Sequence, residues 1–299
     1  MVSHDKNEVL TKLVEELYVG KPNDTLYHYT SLGVAQSIIE NGCLWATDIR
    51  YMSDSSELAN TATLLVNVAA NLLRSEGGDA EILWQFGQWV KDRFNNGHSM
   101  FVACFSERGN LLSQWRGYCP DGKGVSLGFA PQNLAAAAAA EDFDLVKCIY
   151  DRETQVRLAQ DVVRAVEQKA KEIGKALPSA AATEPCYFPA FERLEVDLLR
   201  LAAALKYGAF FEEQEWRLVS KVITRTDLPT INYREGQSML IPYMKFALPR
   251  LPSGRLELAR NYLGPTPQPN HSMRSFANFL SARVVQSELW LSDIPYRKC

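Results

Sequence analysis

The sequence predicts an α+β fold with a central, largely antiparallel sheet and several packed and inserted helices. Short aromatic or apolar runs typical of strands alternate irregularly with helical stretches, unlike the regular strand–helix alternation of a parallel sheet. The run at 100–106 is apolar almost throughout, as in a strand covered on both faces. No glycine-rich phosphate loop follows a strand, because Gly122-Lys123-Gly124 is too short and lies in a hairpin-like turn. We therefore reject Rossmann and P-loop folds and expect residues 1–299 to form one domain.

Bulk properties argue against several classes of partner. The net charge of -3 provides no general attraction to nucleic-acid backbones or anionic lipid. No apolar run approaches the length of a membrane span, and the N-terminus lacks the basic-then-apolar pattern of a signal peptide. The 6 cysteines form no C-x-x-C pair and have no histidine at ligand spacing, which argues against zinc and against a disulfide framework. We expect a cytoplasmic protein with reduced thiols, no metal and no membrane partner.

Helical periodicity predicts an N-terminal helix and two helical insertions. The N-terminal helix covers residues 3–19, where the apolar positions share one face. The first insertion lies near 55–95 and is interrupted by a Gly-Gly pair. The second lies near 152–211 and contains a loop at 177–189 that is rich in Pro, Ser and Ala. Strands are predicted at 26–29, 43–47, 100–106, 125–129, 145–150, 215–223, 238–246, 256–262 and 282–287.

The chain is organised around residues 26–57, which join a strand, a short helix, a second strand and the start of a longer helix. Asp54 and Glu57 form a D-x-x-E capping box for that longer helix. His28 lies among hydroxyl and aromatic groups where the first strand leads into the short helix. This is a good position from which to hold a ligand, although a lone histidine of this kind is more often structural.

Three groups of polar residues accompany predicted strands and are candidates for a site. They are 27–30, 104–107 together with 114–116, and 212–217. The third group holds three carboxylates in four residues, which repel one another unless they are solvated or neutralised. One interpretation is a solvated rim paired with Arg217 or Lys206. The other places Glu213 and Glu215 on the same side of an extended segment, where one binds a substrate hydroxyl and the other acts on the reacting centre. No Ser/His/Asp arrangement supports a nucleophilic hydrolase.

Four motifs in order carry a resemblance to a known family. They are LYHYTS…NGCLWATDIRYMSDSSE, FVACFSE…LLSQWRGYCPDGKGVSLGF, EEQEWRLV and SDIPYR. Over residues 26–297 the chain resembles the bacterial family named domain of unknown function 2971. It is more distantly similar to ADP-ribosyltransferases, whose core is a split antiparallel sheet.

The second resemblance implies a role for particular residues. His28 matches the first-strand position, Ser106 the middle-strand position, and Glu215 the late glutamate, with Glu213 completing an E-x-E pattern. Tyr51 is a candidate for the aromatic ring that stacks on nicotinamide. The chain departs from the pattern because it has no S-T-S triplet and because long helices separate the motifs, so the middle position rests on the weakest match.

The chemistry that this resemblance implies consumes NAD. Breaking the glycosidic bond of NAD develops positive charge on the ribose, which a carboxylate such as Glu215 stabilises. His28 would hold ribose or amide groups and an aromatic ring would stack on the base. Arg116 or Arg217 would pair with the pyrophosphate. The remaining candidates for nucleotide contacts are Tyr29, Thr30 and Trp115.

Our leading hypothesis is a cytoplasmic, NAD-consuming, ADP-ribosyltransferase-like enzyme that acts as a toxin or defence effector. NAD or a related nucleotide is the expected partner, and the acceptor, protein or nucleic acid, stays open. The alternatives are a non-catalytic nucleotide-binding module and a nucleic-acid-processing enzyme, the latter disfavoured by the net charge. The hypothesis requires that the strands carrying His28, Ser106 and Glu215 be neighbours in one sheet.

Overall fold

The computed structural model describes residues 8–52, 56–75, 77–120, 122–176, 186–223 and 230–295. Ten strands of this part of the chain form one sheet. The strands are β1 Leu26–Ser31, β2 Cys43–Asp48, β3 Phe101–Ser106, β4 Gly124–Phe129, β5 Phe143–Lys147, β6 Glu215–Ser220, β7 Asn232–Glu235, β8 Leu240–Ala247, β9 Glu257–Leu263 and β10 Gln286–Leu291.

Helices lie before, between and after these strands. They are α1 Glu8–Leu17, α2 Leu32–Asn41, α3 Ser56–Ser75, α4 Ala80–Asn96, α5 Leu112–Tyr118, α6 Pro131–Ala140, α7 Arg152–Ala176, α8 Phe188–Glu192, α9 Glu195–Ala204 and α10 Pro269–Ala282, with short 3₁₀ helices at Ile49–Tyr51 and Gly208–Glu213. None of the helices within the described ranges is long and apolar enough to cross a membrane.

The predicted helical regions are confirmed where the structure describes them. The N-terminal helix covers 8–17 and ends two residues before the predicted end at 19, and residues 3–7 lie outside the described part. The insertion near 55–95 is two helices separated at the Gly-Gly pair. The insertion near 152–211 contains α7, α8 and α9, while 177–185 of its predicted loop lie outside the described residues. Asp54 of the predicted capping box also lies outside them.

Two strand predictions differ from the structure. The predicted strand at 282–287 is wrong in position, because α10 continues to Ala282 and β10 begins at Gln286. The short strand β7 was not predicted, since Asn232–Glu235 carries mainly polar side chains. Such a composition is typical of an edge strand, and β7 pairs with β8 at the end of the sheet.

The sheet is largely antiparallel, as predicted. Its main order is β10-β9-β4-β1-β3-β2-β8-β7, and β6 and β5 continue from β3. Only the pairing of β10 with β9 is parallel among the strands described. The first strand, the strand of Ser106 and the strand of Glu215 are therefore neighbours, which confirms the requirement stated above.

The sheet is split along one edge of β3. The other edge of β3 pairs continuously with β6, from Val102↔Val219 to Ser106↔Glu215. On the split edge, β1 meets β3 at Tyr27↔Ser106, and β2 meets it at Thr47↔Val102 and Asp48↔Phe101. Because β1 and β2 reach opposite ends of the same edge, they diverge and leave a gap between them.

Apolar helices cover the two faces of the sheet. One core joins α1, α3, α4, α7, α8 and α9, and Val102, Val146 and Val219 extend from the sheet into it. The second core lies against α2, α6 and α10 and takes in Phe101, Ala103 and Phe105. Neighbouring residues of β3 thus enter different cores, since side chains alternate along a strand. This explains why the run at 100–106 is apolar at nearly every position.

Candidate functional site

The gap between β1 and β2 opens into a cavity of about 260 Å³. Its walls come from β1, β2, β3, β7, α3, α5, the two 3₁₀ helices and the segment leading into β6. The lining residues that matter below are Tyr27, His28, Tyr29, Trp45, Thr47, Tyr51, Glu57, Cys104, Ser106, Tyr118, Lys206, Glu213, Glu215 and Arg234.

The cavity reaches the open edge of β3 and not only one face of the sheet. All five consecutive residues from Val102 to Ser106 line it, although their side chains alternate between the two faces. A ligand in this position can contact residues that belong to both sides of the sheet. The split therefore creates the site.

His28 bridges the gap at the level of Cys104. Its Nδ1 lies 2.9 Å from the Cys104 carbonyl oxygen. A carbonyl only accepts hydrogen bonds, so Nδ1 carries the hydrogen and Nε2 of the neutral ring is an acceptor. Burial lowers the pKa of His28, which favours this neutral form. His28 can thus accept a hydrogen bond from a ligand hydroxyl in the cavity.

The sheet register aligns Tyr27, Ser106 and Glu215 in one row across β1, β3 and β6. Residues directly opposite one another point to the same face, so all three contribute to one wall of the cavity. The Ser106 hydroxyl donates to the Glu213 carbonyl at 2.6 Å and accepts from the Arg108 N–H at 3.0 Å. Ser106 thereby attaches the segment that carries Glu213 to the end of β3.

A buried ionic cluster forms the acidic wall of the cavity. Its members are Glu57, Lys206, Glu213, Glu215 and Arg217. With all five ionised, three carboxylates face two cations, and the cluster carries one excess negative charge. Burial raises the pKa of Glu57 above its usual value, and Glu215 raises it further, against the attraction of Arg217.

Arg217 is enclosed by this cluster and does not line the cavity. Its side chain is 0% exposed, and Nε bonds to Glu215 at 2.5 Å. Its Nη1 donates to the Ala203 carbonyl at 3.0 Å and its Nη2 donates to Glu57 at 2.6 Å. Pairing of Arg217 with a pyrophosphate, one of the two alternatives from sequence, is therefore wrong, because every guanidinium nitrogen already has a partner.

Glu215 lies between the two cations. It is only 3% exposed and contacts both Lys206 and Arg217. Burial opposes ionisation, but the charges of Arg217 and Lys206 lower the pKa of Glu215 to about 2. The solvated-rim interpretation is wrong for this residue, although the partners that it named, Arg217 and Lys206, are the observed ones.

Glu213 is the more accessible carboxylate of the pair. It bonds to Lys206 Nζ at 2.7 Å, and its side chain is 11% exposed. Burial raises the pKa of Glu213, against the attraction of Lys206. The expected extended segment is absent, because Glu213 ends a 3₁₀ helix and Gln214 has a φ of 44°. Glu213 and Glu215 nevertheless contact the same ammonium group, that of Lys206. Their side chains therefore lie on the same side of the segment, as the sequence predicts.

The remaining predicted residues divide into two sets. Tyr51 lines the cavity with its ring 39% exposed. Tyr29 lines it as well, but its hydroxyl donates to the Arg108 carbonyl at 2.5 Å and accepts from the Leu111 N–H. Three predicted contact residues are placed elsewhere. Trp115 is buried edge-on against Tyr29, Thr30 is buried beside Cys119, and Arg116 is exposed in a separate concavity with Glu212.

Several polar and aromatic residues of the cavity were not among those proposed from sequence, including Trp45, Thr47, Glu57, Tyr118 and Arg234. Glu57 was assigned to helix capping and Lys206 only to a surface pair. One signal was present for Lys206, since it is a single cation within a long apolar stretch, where burial requires a charged partner. For Arg234 the polar edge strand offered no signal.

Comparison with known proteins supports the family resemblance. Residues 114–218, about a third of the chain, match the family model described as Protein of unknown function (DUF2971). The matched segment runs from α5 to β6 and contains Lys206, Glu213, Glu215 and Arg217. No curated protein matches the chain, and no solved structure matches it.

Proposed function

We propose that this protein is an NAD-consuming enzyme, of ADP-ribosyltransferase-like type, that breaks the nicotinamide–ribosyl bond in the split of the sheet. The convergence of β1, β3 and β6 carries the proposal. Through it, His28, Ser106 and the two glutamates reach one cavity although they are far apart in sequence.

The electrostatics of the acidic wall support this reaction. As the bond between the ribose carbon and the ring nitrogen breaks, its electron pair leaves with nicotinamide and the ribosyl group becomes cationic. With all five groups ionised, the cluster of Lys206, Arg217 and three glutamates offers one excess negative charge in a buried setting, where charges act strongly. A water or an acceptor hydroxyl then attacks the cation and releases a proton.

The two glutamates have different roles in this proposal. Glu213, which is closer to solvent, faces the ribosyl cation and takes the proton of the attacking hydroxyl. Glu215 contacts Lys206 and Arg217, and it keeps Lys206 in place while adding its own charge. The catalytic role that the sequence assigned to Glu215 thus passes mainly to Glu213.

His28 and Tyr51 position the nucleotide. The Nε2 acceptor of His28 is suited to a ribose hydroxyl, because the opposite ring nitrogen is held by the Cys104 carbonyl. The exposed ring of Tyr51 offers a face on which nicotinamide stacks.

The test compares neighbouring glutamates. The protein is incubated with labelled NAD and a cell lysate, and released nicotinamide and labelled acceptors are measured. We expect Glu213→Gln to reduce turnover by about 100- to 1000-fold, the usual loss when a preorganised charge is removed. Glu212→Gln is the matched control, since this exposed residue lies outside the cavity. Equal turnover by both variants would contradict the role of Glu213, and absence of both NAD binding and cleavage would contradict the proposed function.

A binding module is the second candidate, because the two cations neutralise much of the negative charge around Glu215. Calorimetry on the same preparations separates the two functions. NAD that binds without release of nicotinamide, with the same affinity in wild type and Glu213→Gln, identifies a binding module.

A further inference from the structure

Arg234 differs from the other cations of the site because it has no carboxylate partner among the residues that the structure describes. Lys206 is bound by Glu213 and Glu215, and Arg217 is enclosed by Glu215 and Glu57. Arg234 lines the cavity and donates from Nη2 to the Thr47 hydroxyl at 3.2 Å. Its Nε is buried and has no hydrogen-bond partner among the residues that the structure describes.

The sheet register explains how Arg234 reaches the cavity from the outermost strand. Tyr243 of β8 pairs with Thr47 on one side and with Asn232 of β7 on the other. Arg234 is two residues beyond Asn232, so it lies on the same face as Tyr243 and Thr47. Its side chain crosses β8 on that face, which is how it contacts Thr47 of β2.

An aromatic surface lies beside this cation. The ring of Trp45 stacks on Tyr243 with centroids 4.4 Å apart and planes at 26°. Trp45 is 41% exposed and lines the cavity, so one face of a rigidly held indole remains available. Adjacent cationic and aromatic groups suit a phosphate attached to a nucleoside.

The cavity therefore has two ends of opposite charge. The end near β6 carries the carboxylate cluster, and the end near β2 and β7 carries Arg234. A molecule with a cationic ring at one end and a phosphate at the other complements both. Resting on the function proposed above, we propose that Arg234 binds the phosphate of a pyrophosphate-linked nucleotide, with Trp45 as the neighbouring stacking surface. Arg234 then has the role that the sequence had assigned to Arg116 or Arg217.

The experiment measures binding of two probes that differ in phosphate. ADP-ribose carries a pyrophosphate, and nicotinamide riboside carries none. We expect Arg234→Gln to weaken ADP-ribose binding by about 10- to 100-fold, the range for loss of a charge-assisted hydrogen bond. Binding of nicotinamide riboside stays the same. Arg234→Lys, which keeps the charge without the planar fork, recovers part of the loss.

Arg116→Gln is the matched control, because Arg116 is an exposed arginine outside the cavity. The Arg116→Gln variant should bind ADP-ribose with the same affinity as the wild type. An Arg234→Gln variant that binds ADP-ribose as tightly as the wild type would overturn the proposal. An equal loss for both probes would also overturn it, since it would show an effect on cavity shape and not on phosphate.

The outcomes separate this inference from the proposed function. If binding of ADP-ribose depends on Arg234 but NAD is not cleaved, the phosphate site stands and the enzymatic function fails. If NAD is cleaved with the same KM by wild type and Arg234→Gln, the enzymatic function stands and the phosphate site fails.

Discussion

At the residue scale, the acidic wall combines a structural carboxylate and an accessible one at a single lysine. Burial alone would lower the pKa of Lys206, but Glu215 raises it above its usual range, so the ammonium stays charged. Lys206 thereby holds Glu213 and Glu215 at one point despite their mutual repulsion. The difference in exposure between the two glutamates leads to different expectations for the same substitution.

Replacing Glu215 by Gln should mainly destabilise the fold. The substitution leaves Lys206 and Arg217 buried with less compensating charge, and breaking a buried ion pair in this way costs about 3–5 kcal/mol. Urea unfolding of Glu215→Gln and Glu213→Gln measures the effect, and the loss should be larger for Glu215→Gln. A Glu215→Gln variant as stable as the wild type would show that the cations do not depend on this carboxylate.

His28 should make stability fall in mild acid. Because burial lowers the pKa of His28 below its usual value of 6.5, the folded state binds fewer protons than the unfolded chain near that pH. The stability that neutral His28 contributes is fully present above pH 6.5, the usual pKa that applies in the unfolded chain. It is lost as the pH falls through the lower pKa of His28 in the folded state. The slope has an upper limit of about 1.4 kcal/mol per pH unit, the value for one proton.

Unfolding by denaturant at several pH values between about 7.5 and about 5.5 tests this contribution, since these limits bracket the usual histidine pKa of 6.5. In His28→Gln the side-chain amide can still donate to the Cys104 carbonyl, but the titrating group is gone. The variant should therefore lose less stability than the wild type over this range. Parallel curves for the two proteins would show that His28 does not titrate differently in the folded state.

At the scale of elements, the pairing of β3 with β6 positions the segment that carries Glu213 and Glu215. Buried serines lie at the two ends of this pairing, Ser106 beside Glu213 and Ser220 beside Phe101. Each accepts from a backbone N–H and donates to a backbone carbonyl. Only Ser106 lines the cavity, so the two form a matched pair with the same local chemistry and different distances from the site.

Ser106→Ala and Ser220→Ala should therefore differ in activity more than in stability. Each leaves buried backbone groups without a partner, which costs about 1–3 kcal/mol. Ser106→Ala also releases the segment that carries Glu213, so turnover per folded molecule should fall in this variant alone. Turnover and thermal unfolding measured on the same samples decide the matter. Equal specific activity in the two variants would refute the positioning role of Ser106.

At the scale of the whole molecule, the cavity lies between β1 and β2, which within the described sheet are joined through β3. β1 leads to β4, β9 and β10, whereas β2 leads to β8 and β7. A ligand that contacts His28 of β1 and Arg234 of β7 links both halves. A ligand that binds the folded state and not the unfolded state should therefore stabilise the entire protein.

ADP-ribose at 100 times its Kd should raise the free energy of unfolding by about 2.7 kcal/mol. Thermal unfolding with and without the ligand measures this as a rise in Tm. At the same ligand concentration, Arg234→Gln should show a much smaller rise and Arg116→Gln a normal one. A rise in Tm that is the same in all three proteins would show that Arg234 does not bind the ligand.

Much of the architecture follows from the sequence by itself. The α+β class, the largely antiparallel sheet, the two helical insertions and most strands follow from the sequence, because apolar periodicity and breaks such as the Gly-Gly pair act within a few residues. The segments that carry His28, Ser106 and Glu215 were also predicted to be neighbours, and they are.

The tertiary structure alone decided which charged groups face a ligand. Arg116, Arg217 and Arg234 are equivalent cations in the sequence, yet one is exposed elsewhere, one is enclosed by carboxylates and one lines the cavity. Likewise, Arg217 pairs with Glu215, which is the more buried of the two glutamates, whereas the side chain of Glu213 stays partly exposed. Ion pairing and burial depend on contacts between segments far apart in the chain, such as Glu57 with Arg217, and local sequence patterns do not encode them.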